Sequence, residues 1–225
     1  MENLVIFDFD GVLADTLDEM LHIAGLVCEM MGYPCTPSPS DLDVLRKMEF
    51  RELGKQLGIP EQHVDEFVER TFDMFGSRPV PPRIFPGMRE VVTTLSKDHK
   101  IAILTGNTFQ VVDRFLVAND LSAVIAVVMS ADEPGSRSEK LSCIVSQLGG
   151  PGVQSYLVGD AVSDVQVART GGVTSIAVTW GHQSENRLLS VDPDYLVHTP
   201  LELLALFQND GNETVGENHE KRDFD

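Results

Sequence analysis

Five short apolar segments, rich in Val and Ile, constrain the fold of this chain more than any other feature of its sequence. Each is almost continuously apolar and is followed by polar or glycine residues. Strands buried on both faces of a parallel sheet have this pattern, whereas strands with one face in water alternate apolar and polar residues. We therefore predict strands at Leu4–Phe9, Ile101–Thr105, Val124–Met129, Tyr156–Gly159 and Ser175–Thr179.

Segments of helical period separate the later strands. Apolar residues recur at helical spacing in Phe109–Ala118 and Lys140–Leu148, and Val162–Thr170 is a third such segment. A chain that alternates strands and helices in this way is typical of a parallel sheet covered by helices on both faces. The predicted fold class is α/β, with a doubly wound, Rossmann-like parallel sheet as the core.

The stretch between the first two strands contains helical patterns only: Leu17–Met31, Leu42–Leu57 and Glu61–Phe75. Prolines separate the first pattern from the second, and Gly58-Ile59-Pro60 separates the second from the third. We predict an inserted all-helical cap domain at 16–83 and a core domain formed by 1–15 and 84–207. Residues 208–225 carry six acidic and two basic side chains and few apolar ones, which predicts a disordered acidic tail.

Charge and composition restrict the classes of partner. The chain has 35 acidic and 17 basic residues, for a formal net charge of -18. Such a field repels phosphate backbones and anionic bilayers, so we expect no nucleic-acid and no membrane partner. No apolar run approaches the roughly 18 residues of a membrane helix. A basic export segment is not present at the start, which favours a cytoplasmic protein. The acidic surface favours a monomer.

Three cysteines, Cys28, Cys35 and Cys143, are odd in number and lack a CxxC spacing. Chains with this pattern more often carry buried or free thiols in a reducing compartment than a disulfide framework. We therefore expect three thiols.

Carboxylates follow the predicted strands at the points where those strands end. Ligands of open parallel sheets bind beyond these carboxyl ends, so residues there are expected to converge. Lys140 opens the predicted helix after the third strand and would reach the same edge. The candidate residues are Asp8 and Asp10 after the first strand, Thr105, Gly106 and Asn107 at the second, and Asp160 with Asp164 after the fourth.

This set of side chains suits phosphoryl transfer with Mg²⁺. Closely packed carboxylates repel one another unless a cation neutralises them, and Mg²⁺ prefers oxygen ligands together with substrate phosphate. A carboxylate beside the metal can attack phosphorus, so either Asp8 or Asp10 could be the nucleophile and the other a general acid and base. Thr105 and Lys140 would bind phosphoryl oxygens and stabilise the charge of the transition state.

The pattern resembles the four motifs of the haloacid dehalogenase-like hydrolase superfamily, over about residues 4 to 207. The segment after the last strand, which begins Trp180-Gly181-His182, is similar to the phosphoglycolate phosphatase branch. The residues that carry the resemblance are Asp8-Phe9-Asp10-Gly11-Val12-Leu13-Ala14-Asp15-Thr16, Thr105-Gly106-Asn107, Lys140 and Gly159-Asp160-Ala161-Val162-Ser163-Asp164.

The resemblance implies a role for each candidate residue. Asp8 would be the nucleophile, and Asp10 would protonate the leaving alcohol and then activate water. The implied Mg²⁺ ligands are Asp8, the backbone carbonyl of Asp10 and Asp160, with Asp164 supporting them. Thr105, Asn107 and Lys140 would hold the phosphate, and Gly106 lies between the first two. The helical insert would close over the substrate. That substrate would be a small phosphorylated metabolite such as phosphoglycolate or a sugar phosphate.

Two alternatives to a phosphatase remain at this point. Sugar-phosphate mutases of the superfamily have a histidine in the first cap helix, where this chain has Met20; His22 faces elsewhere and is interpreted as structural. A regulatory phospho-acceptor protein could use the same aspartates. Receiver domains, however, place their acidic pair and their acceptor on different strands, whereas Asp8 and Asp10 follow one strand.

Substrate selection is expected to depend on the cap. Lys47, Arg51 and Lys55 recur every four residues, with Arg46 adjacent, so they could form a cationic patch that meets a substrate carboxylate. Helix-stabilising ion pairs on a solvated face are the more frequent use of such residues. Of these residues, Arg46 and Lys47 are the candidates for substrate contact. Trp180 and His182 are expected to have packing or rim positions.

Overall fold

The computed structural model describes residues 2–209. The strands are β1 Leu4–Phe7, β2 Ala14–Asp15, β3 Arg83–Ile84, β4 Lys100–Leu104, β5 Val127–Met129, β6 Ser155–Gly159, β7 Thr174–Val178 and β8 Tyr195–Val197. A six-stranded sheet forms the centre of the structure, with the strand order β5-β4-β1-β6-β7-β8 and every neighbouring pair parallel. A second sheet pairs two short antiparallel strands, β2 and β3.

Ten helices accompany these strands in the described part of the chain. Four of them lie between β2 and β3, and the other six follow β3. The helices are α1 Leu17–Met30, α2 Pro39–Asp43, α3 Phe50–Gln56, α4 Glu61–Gly76, α5 Met88–Leu95, α6 Phe109–Ala118, α7 Arg137–Leu148, α8 Val162–Gly171, α9 Glu185–Leu189 and α10 Pro200–Asn209.

The central sheet is buried on both faces, and this explains the continuous apolar runs. Successive side chains of β1 point to opposite faces. Val5 and Phe7 pack into one apolar cluster with α5 and α6, whereas Leu4 and Ile6 pack into another with α7. All four residues of β1 are fully buried. The predicted doubly wound α/β core is therefore confirmed, and the boundaries of the five predicted strands differ from the observed ones by at most three residues.

The inserted helices α1 to α4 have an apolar core of their own, which includes Val27, Leu53, Val64 and Phe67. β2 and β3 pair where the chain leaves and re-enters the sheet domain, so they close the insert at its base. This separate cluster supports the proposed division into a cap at 16–83 and a core on either side of it. The first two residues of the predicted tail belong to α10, and the rest of 208–225 lies outside the described residues.

The prediction of one continuous helix over Leu42–Leu57 is wrong. The structure has α2 and α3 instead, separated by a non-helical segment at 44–49. The carbonyls of Leu42 and Leu45 accept hydrogen bonds from the Gln183 side chain, which lies 141 and 138 residues away in sequence. A contact with the core therefore takes carbonyl oxygens that a continuous helix would pair within itself.

The expectation of three thiols is also wrong, because Cys28 and Cys35 form a disulfide with a Cα–Cα distance of 6.1 Å. A turn after α1 brings them together: Gly32 has a φ of 79°, and the Tyr33 N–H donates to the Cys28 carbonyl. Cys143 is free and exposed.

Among the helices in residues 2–209, none combines the length and the apolar character needed to cross a bilayer.

Candidate active site

Three aspartates meet beyond the carboxyl ends of β1 and β6. Asp8 follows β1, Asp160 follows β6, and Asp164 lies in the first turn of α8. One carboxylate oxygen from each lies within 4.8 Å of the others. β1 and β6 are parallel neighbours, so their ends reach the same edge of the sheet and bring these side chains together. The convergence predicted for these three residues is confirmed.

Glycines without side chains permit this close packing. Gly11 has a φ of 78°, which favours glycine, and a Cβ at this position would overlap the Asp160 carboxylate. A Cβ at Gly181 would overlap the same side chain. Any larger residue at either position would displace Asp160, so both glycines are part of how the site is built.

One oxygen of Asp160 is available for a cation. Its Oδ2 accepts the backbone N–H of His182 at 2.6 Å and lies 2.9 Å from the His182 Nδ1. Its Oδ1 is buried and has no hydrogen-bond partner among the described residues. A buried carboxylate oxygen without a partner is costly unless a ligand satisfies it. Together with the adjacent carboxylates of Asp8 and Asp164, this oxygen fits a hard divalent cation such as Mg²⁺.

Sequence reasoning missed the cation that contacts this cluster, Arg137. Its Nη2 lies 3.0 Å from the Asp8 Oδ2 and 2.7 Å from the Asp164 Oδ1. Lys140, the predicted cation, instead donates from Nζ to the carbonyl of Ser130 at 2.6 Å. Both residues line the same cavity, but only Arg137 has an ion pair with Asp8.

The sequence contains a signal for Arg137. Ser136 caps α7 by accepting the backbone N–H of Glu139, and the Glu139 carboxylate accepts the N–H of Ser136. This capping box, S-x-x-E, marks the start of a helix. α7 consequently begins at Arg137, three residues before the predicted helix start at Lys140.

The second aspartate, Asp10, is held by the loop after β4. The side-chain amide of Asn107 donates to the Asp10 Oδ2 at 3.1 Å, and the Asn107 backbone N–H donates to the Thr105 Oγ1 at 2.9 Å. Thr105, Gly106 and Asn107 all line the cavity that contains Asp8 and Asp10. β1 and β4 are adjacent parallel strands, which explains this convergence.

Burial and mutual repulsion change the proton affinity of the aspartates. Burial raises the pKa of Asp8 to about 8; Arg137 opposes this shift, and Asp164 and Asp160 add to it. Burial likewise raises the pKa of Asp10 and that of Asp164 above the ordinary range. Burial disfavours the charged form of Arg137, but the carboxylates of Asp8 and Asp164 more than compensate and raise its pKa. Binding of a further cation beside these carboxylates is therefore favourable, because it would stabilise their charged forms.

His182, for which the sequence predicted a packing or rim position, is buried at 5% exposure beside the aspartates. Its Nε2 lies 3.3 Å from the Thr16 Oγ1, while its Nδ1 faces Asp160. Burial lowers the pKa of His182, but the carboxylates of Asp160, Asp10 and Asp8 together outweigh that effect and raise the pKa overall. The sequence contained one indication of this placement: His182 lies shortly after a predicted buried strand that ends at the sheet edge with the aspartates.

The residues after His182 connect the core to the cap. Gln183 is 2% exposed; its Oε1 accepts the N–H of Val162, and its Nε2 donates to the carbonyls of Leu42 and Leu45 at 3.0 Å. Ser184 donates from its backbone N–H and its hydroxyl to the Asp43 carboxylate. These bonds hold the segment between α2 and α3 against the edge of the sheet that carries the aspartates.

We expect the substitution Gln183→Ala to lower the free energy of unfolding by about 1–3 kcal/mol, because it removes the partner of three buried backbone groups. Urea denaturation followed by circular dichroism measures this loss. Gln62→Ala, an exposed glutamine of α4, is the matched control and should change stability by less than about 0.5 kcal/mol. Equal stability of Gln183→Ala and wild type would contradict the structural role of this side chain.

A cavity of about 810 Å³ lies between cap and core and contains Asp8, Asp10 and Arg137. Of the two cap residues predicted to contact substrate, Lys47 lines this cavity and Arg46 is exposed and not among its lining residues. Arg51 also lines it, but forms an ion pair with Asp65 on the cap surface. Lys55 pairs with Glu61 at 3.2 Å, so the expectation of a solvated, ion-paired face holds for Arg51 and Lys55.

Comparisons with known proteins agree with this geometry. Residues 5–178 match the family model for haloacid dehalogenase-like hydrolases. The chain is 30% identical over 201 residues to a phosphoglycolate phosphatase of Synechococcus elongatus, covering 89% of this chain and 94% of that protein. It is 25% identical to a phosphoglycolate phosphatase of Caulobacter vibrioides, covering 88% of each. A solved haloacid dehalogenase-like hydrolase from Streptococcus pneumoniae has a TM-score of 0.81 at 21% identity, covering 92% of this chain and 99% of that one.

The chain therefore belongs to the haloacid dehalogenase-like hydrolases. Within that family it is a phosphatase similar to the phosphoglycolate phosphatase branch.

Proposed function

We propose that this phosphatase hydrolyses a small phosphomonoester with Mg²⁺ and through an aspartyl-phosphate intermediate on Asp8. The observation that carries the proposal is the trio of Asp8, Asp160 and Asp164, with the unpartnered Oδ1 of Asp160, beside the guanidinium of Arg137. Asp8, Asp160 and Asp164 would hold the cation, together with the Asp10 carbonyl that the resemblance implies. Bound there, Mg²⁺ would neutralise the carboxylates and the substrate phosphate.

In the first half-reaction, a carboxylate oxygen of Asp8 attacks phosphorus and the bond to the leaving alcohol breaks. Asp10 donates its proton to the alcohol oxygen, and its raised pKa suits a general acid. Asn107 fixes the Asp10 carboxyl group by its 3.1 Å hydrogen bond. Arg137, which already contacts Asp8, would bind the phosphoryl oxygens and balance the charge of the transition state.

In the second half-reaction, Asp10 accepts a proton from water, whose oxygen attacks phosphorus and releases inorganic phosphate from Asp8. The cap covers the site and limits access of bulk water while the intermediate exists. Thr105 and Asn107 would contact the phosphate from the β4 side, and Lys140 would supply a further positive charge from α7.

The experiment that tests this function is phosphate release from a panel of phosphomonoesters, with Mg²⁺ and with EDTA. The names of the relatives make 2-phosphoglycolate the first substrate to include, followed by hexose, pentose and nucleoside monophosphates. We expect release that requires Mg²⁺ and is absent from Asp8→Asn. Release that persists in EDTA would contradict the proposed metal dependence.

Binding of Mg²⁺ is expected to release protons at neutral pH. With a pKa of about 8 in the metal-free protein, Asp8 is mainly protonated at pH 7 and must lose its proton to ligate a cation. The affinity should therefore increase as pH rises from about 6 to 8, because fewer protons have to be displaced. Calorimetry in two buffers of different ionisation enthalpy measures the released protons, and an affinity independent of pH would contradict the assignment of Asp8 as a ligand.

We further propose that the phosphatase acts as a monomer, as its acidic surface suggests. We also propose that it acts in the cytoplasm, where the Cys28–Cys35 disulfide would be reduced. Sedimentation equilibrium tests the first statement, and cell fractionation tests the second.

A further inference from the structure

The active-site cavity extends far beyond the space that a phosphoryl group needs. From Asp8 and Arg137 it continues under the cap, and its volume is about 810 Å³. Sites for whole organic ligands commonly have volumes of roughly 300–1,000 Å³. A phosphoester of a two-carbon acid would fill only a small part of this space, so the cavity can hold a larger organic group attached to the phosphate.

Aromatic rings form the cap wall of this cavity. Phe50 of α3 makes an edge contact with Phe72 of α4, with ring centroids 5.1 Å apart, and lies 5.6 Å from Phe75. All three rings line the cavity, and Phe50 and Phe72 are only half-buried, so part of each ring faces open space. Met48 adds an adaptable apolar side chain to the same wall.

The charged side chains of the cap wall include no buried, unpaired cation that could bind an anionic group of the substrate. Of the cap residues that line the cavity, Lys47 and Arg51 are the cations; Lys47 is exposed, and Arg51 is already paired with Asp65. Glu49 lines the cavity as well and would repel an anion. A carboxylate or polyhydroxyl group placed against the phenyl rings would lose its hydration without gaining partners.

We propose that the substrate is a phosphomonoester whose alcohol carries an aromatic or otherwise apolar group, and that Phe50 and Phe72 bind that group. The inference rests on the proposed function, since it takes the phosphoryl group to lie at Asp8 and Arg137. Because the rings and the carboxylates line one continuous cavity, a substrate that spans this cavity would contact both. Apolar surface buried against the rings would then supply much of the binding energy.

The test compares three phosphomonoesters of aliphatic alcohols, so that an aryl leaving group does not favour one of them. They are 2-phenylethyl phosphate, ethyl phosphate and 2-phosphoglycolate, each assayed with Mg²⁺ on wild type and on Asp8→Asn. We expect kcat/KM for 2-phenylethyl phosphate to exceed both other values by at least about tenfold, mainly through a lower KM.

Variants of the aromatic wall test the location of the binding site. Phe72→Ala should lower the ratio of kcat/KM for 2-phenylethyl phosphate to that for ethyl phosphate by about fivefold or more. Tyr195→Ala, an exposed aromatic residue of β8 outside the cavity, should leave this ratio unchanged. Phe72→Leu retains apolar volume and serves if circular dichroism shows that the alanine variant does not fold.

The possible results of these assays distinguish a failure of this inference from a failure of the proposed function. Asp8-dependent hydrolysis of 2-phosphoglycolate or ethyl phosphate at least as efficient as that of 2-phenylethyl phosphate would overturn the inference and leave the phosphatase mechanism intact. An unchanged ratio in Phe72→Ala, or in Phe72→Leu where the alanine variant does not fold, would overturn the location of the site. Absence of Asp8-dependent release from all three compounds and from the wider panel would overturn the proposed function, and this inference with it.

Discussion

Replacing Asp8 with asparagine is expected to reduce phosphate release by at least about a thousandfold, because the amide cannot act as the nucleophile. The fold should persist. Burial and the neighbouring carboxylates raise the pKa of Asp8 and already favour its neutral form in the metal-free protein, so a neutral amide at this position should cost little stability. Steady-state assays give the rate, and thermal denaturation with and without Mg²⁺ gives the stability. Mg²⁺ should stabilise the variant less than it stabilises wild type.

Asp98→Asn is the matched control for this variant. It makes the same chemical change at an exposed position just before β4, at the opposite end of the strands from the aspartate cluster. We expect wild-type turnover from it. Turnover by Asp8→Asn within about tenfold of wild type would show that another group attacks phosphorus.

The substitution Arg137→Ala is expected to reduce kcat by about 100- to 1,000-fold, because it removes the cation that contacts Asp8 and Asp164. Arg137→Lys keeps the charge without the forked geometry and should recover part of the rate. Lys140→Ala should cost less than Arg137→Ala, since the Lys140 ammonium bonds the Ser130 carbonyl rather than a carboxylate of the cluster. Single-turnover kinetics at saturating substrate measure the effect on the chemical step.

The opposite order of effects would contradict the role assigned here to Arg137. If Lys140→Ala lost more activity than Arg137→Ala, the substrate would draw Lys140 to the phosphate, and the role that the sequence resemblance implies for Lys140 would be the correct one. An equal loss in both variants would mean that the two cations share the phosphoryl oxygens.

Several features of the site were predictable because they depend on local patterns. Continuous apolar runs identify strands buried on both faces, as in β1, where all four side chains are buried. The carboxyl ends of parallel neighbours share one edge, so the positions of Asp8 and Asp160 in the sequence already place them together. The capping box at Ser136 and Glu139 would also have placed Arg137 at the start of α7.

Other features depend on contacts between residues that are far apart in the chain. Gln183 interrupts the helix predicted over Leu42–Leu57 from more than 130 residues away, and the turn at Gly32 brings Cys35 to Cys28. The aromatic wall of the cavity depends on how α3 packs against α4 and on where the cap lies over the core. By itself the sequence determined the parallel sheet and the aspartates at its edge, because periodicity and strand ends are local properties. Only the tertiary structure decided which cation contacts Asp8 and which cap side chains line the cavity above it, because those contacts depend on the packing of distant segments.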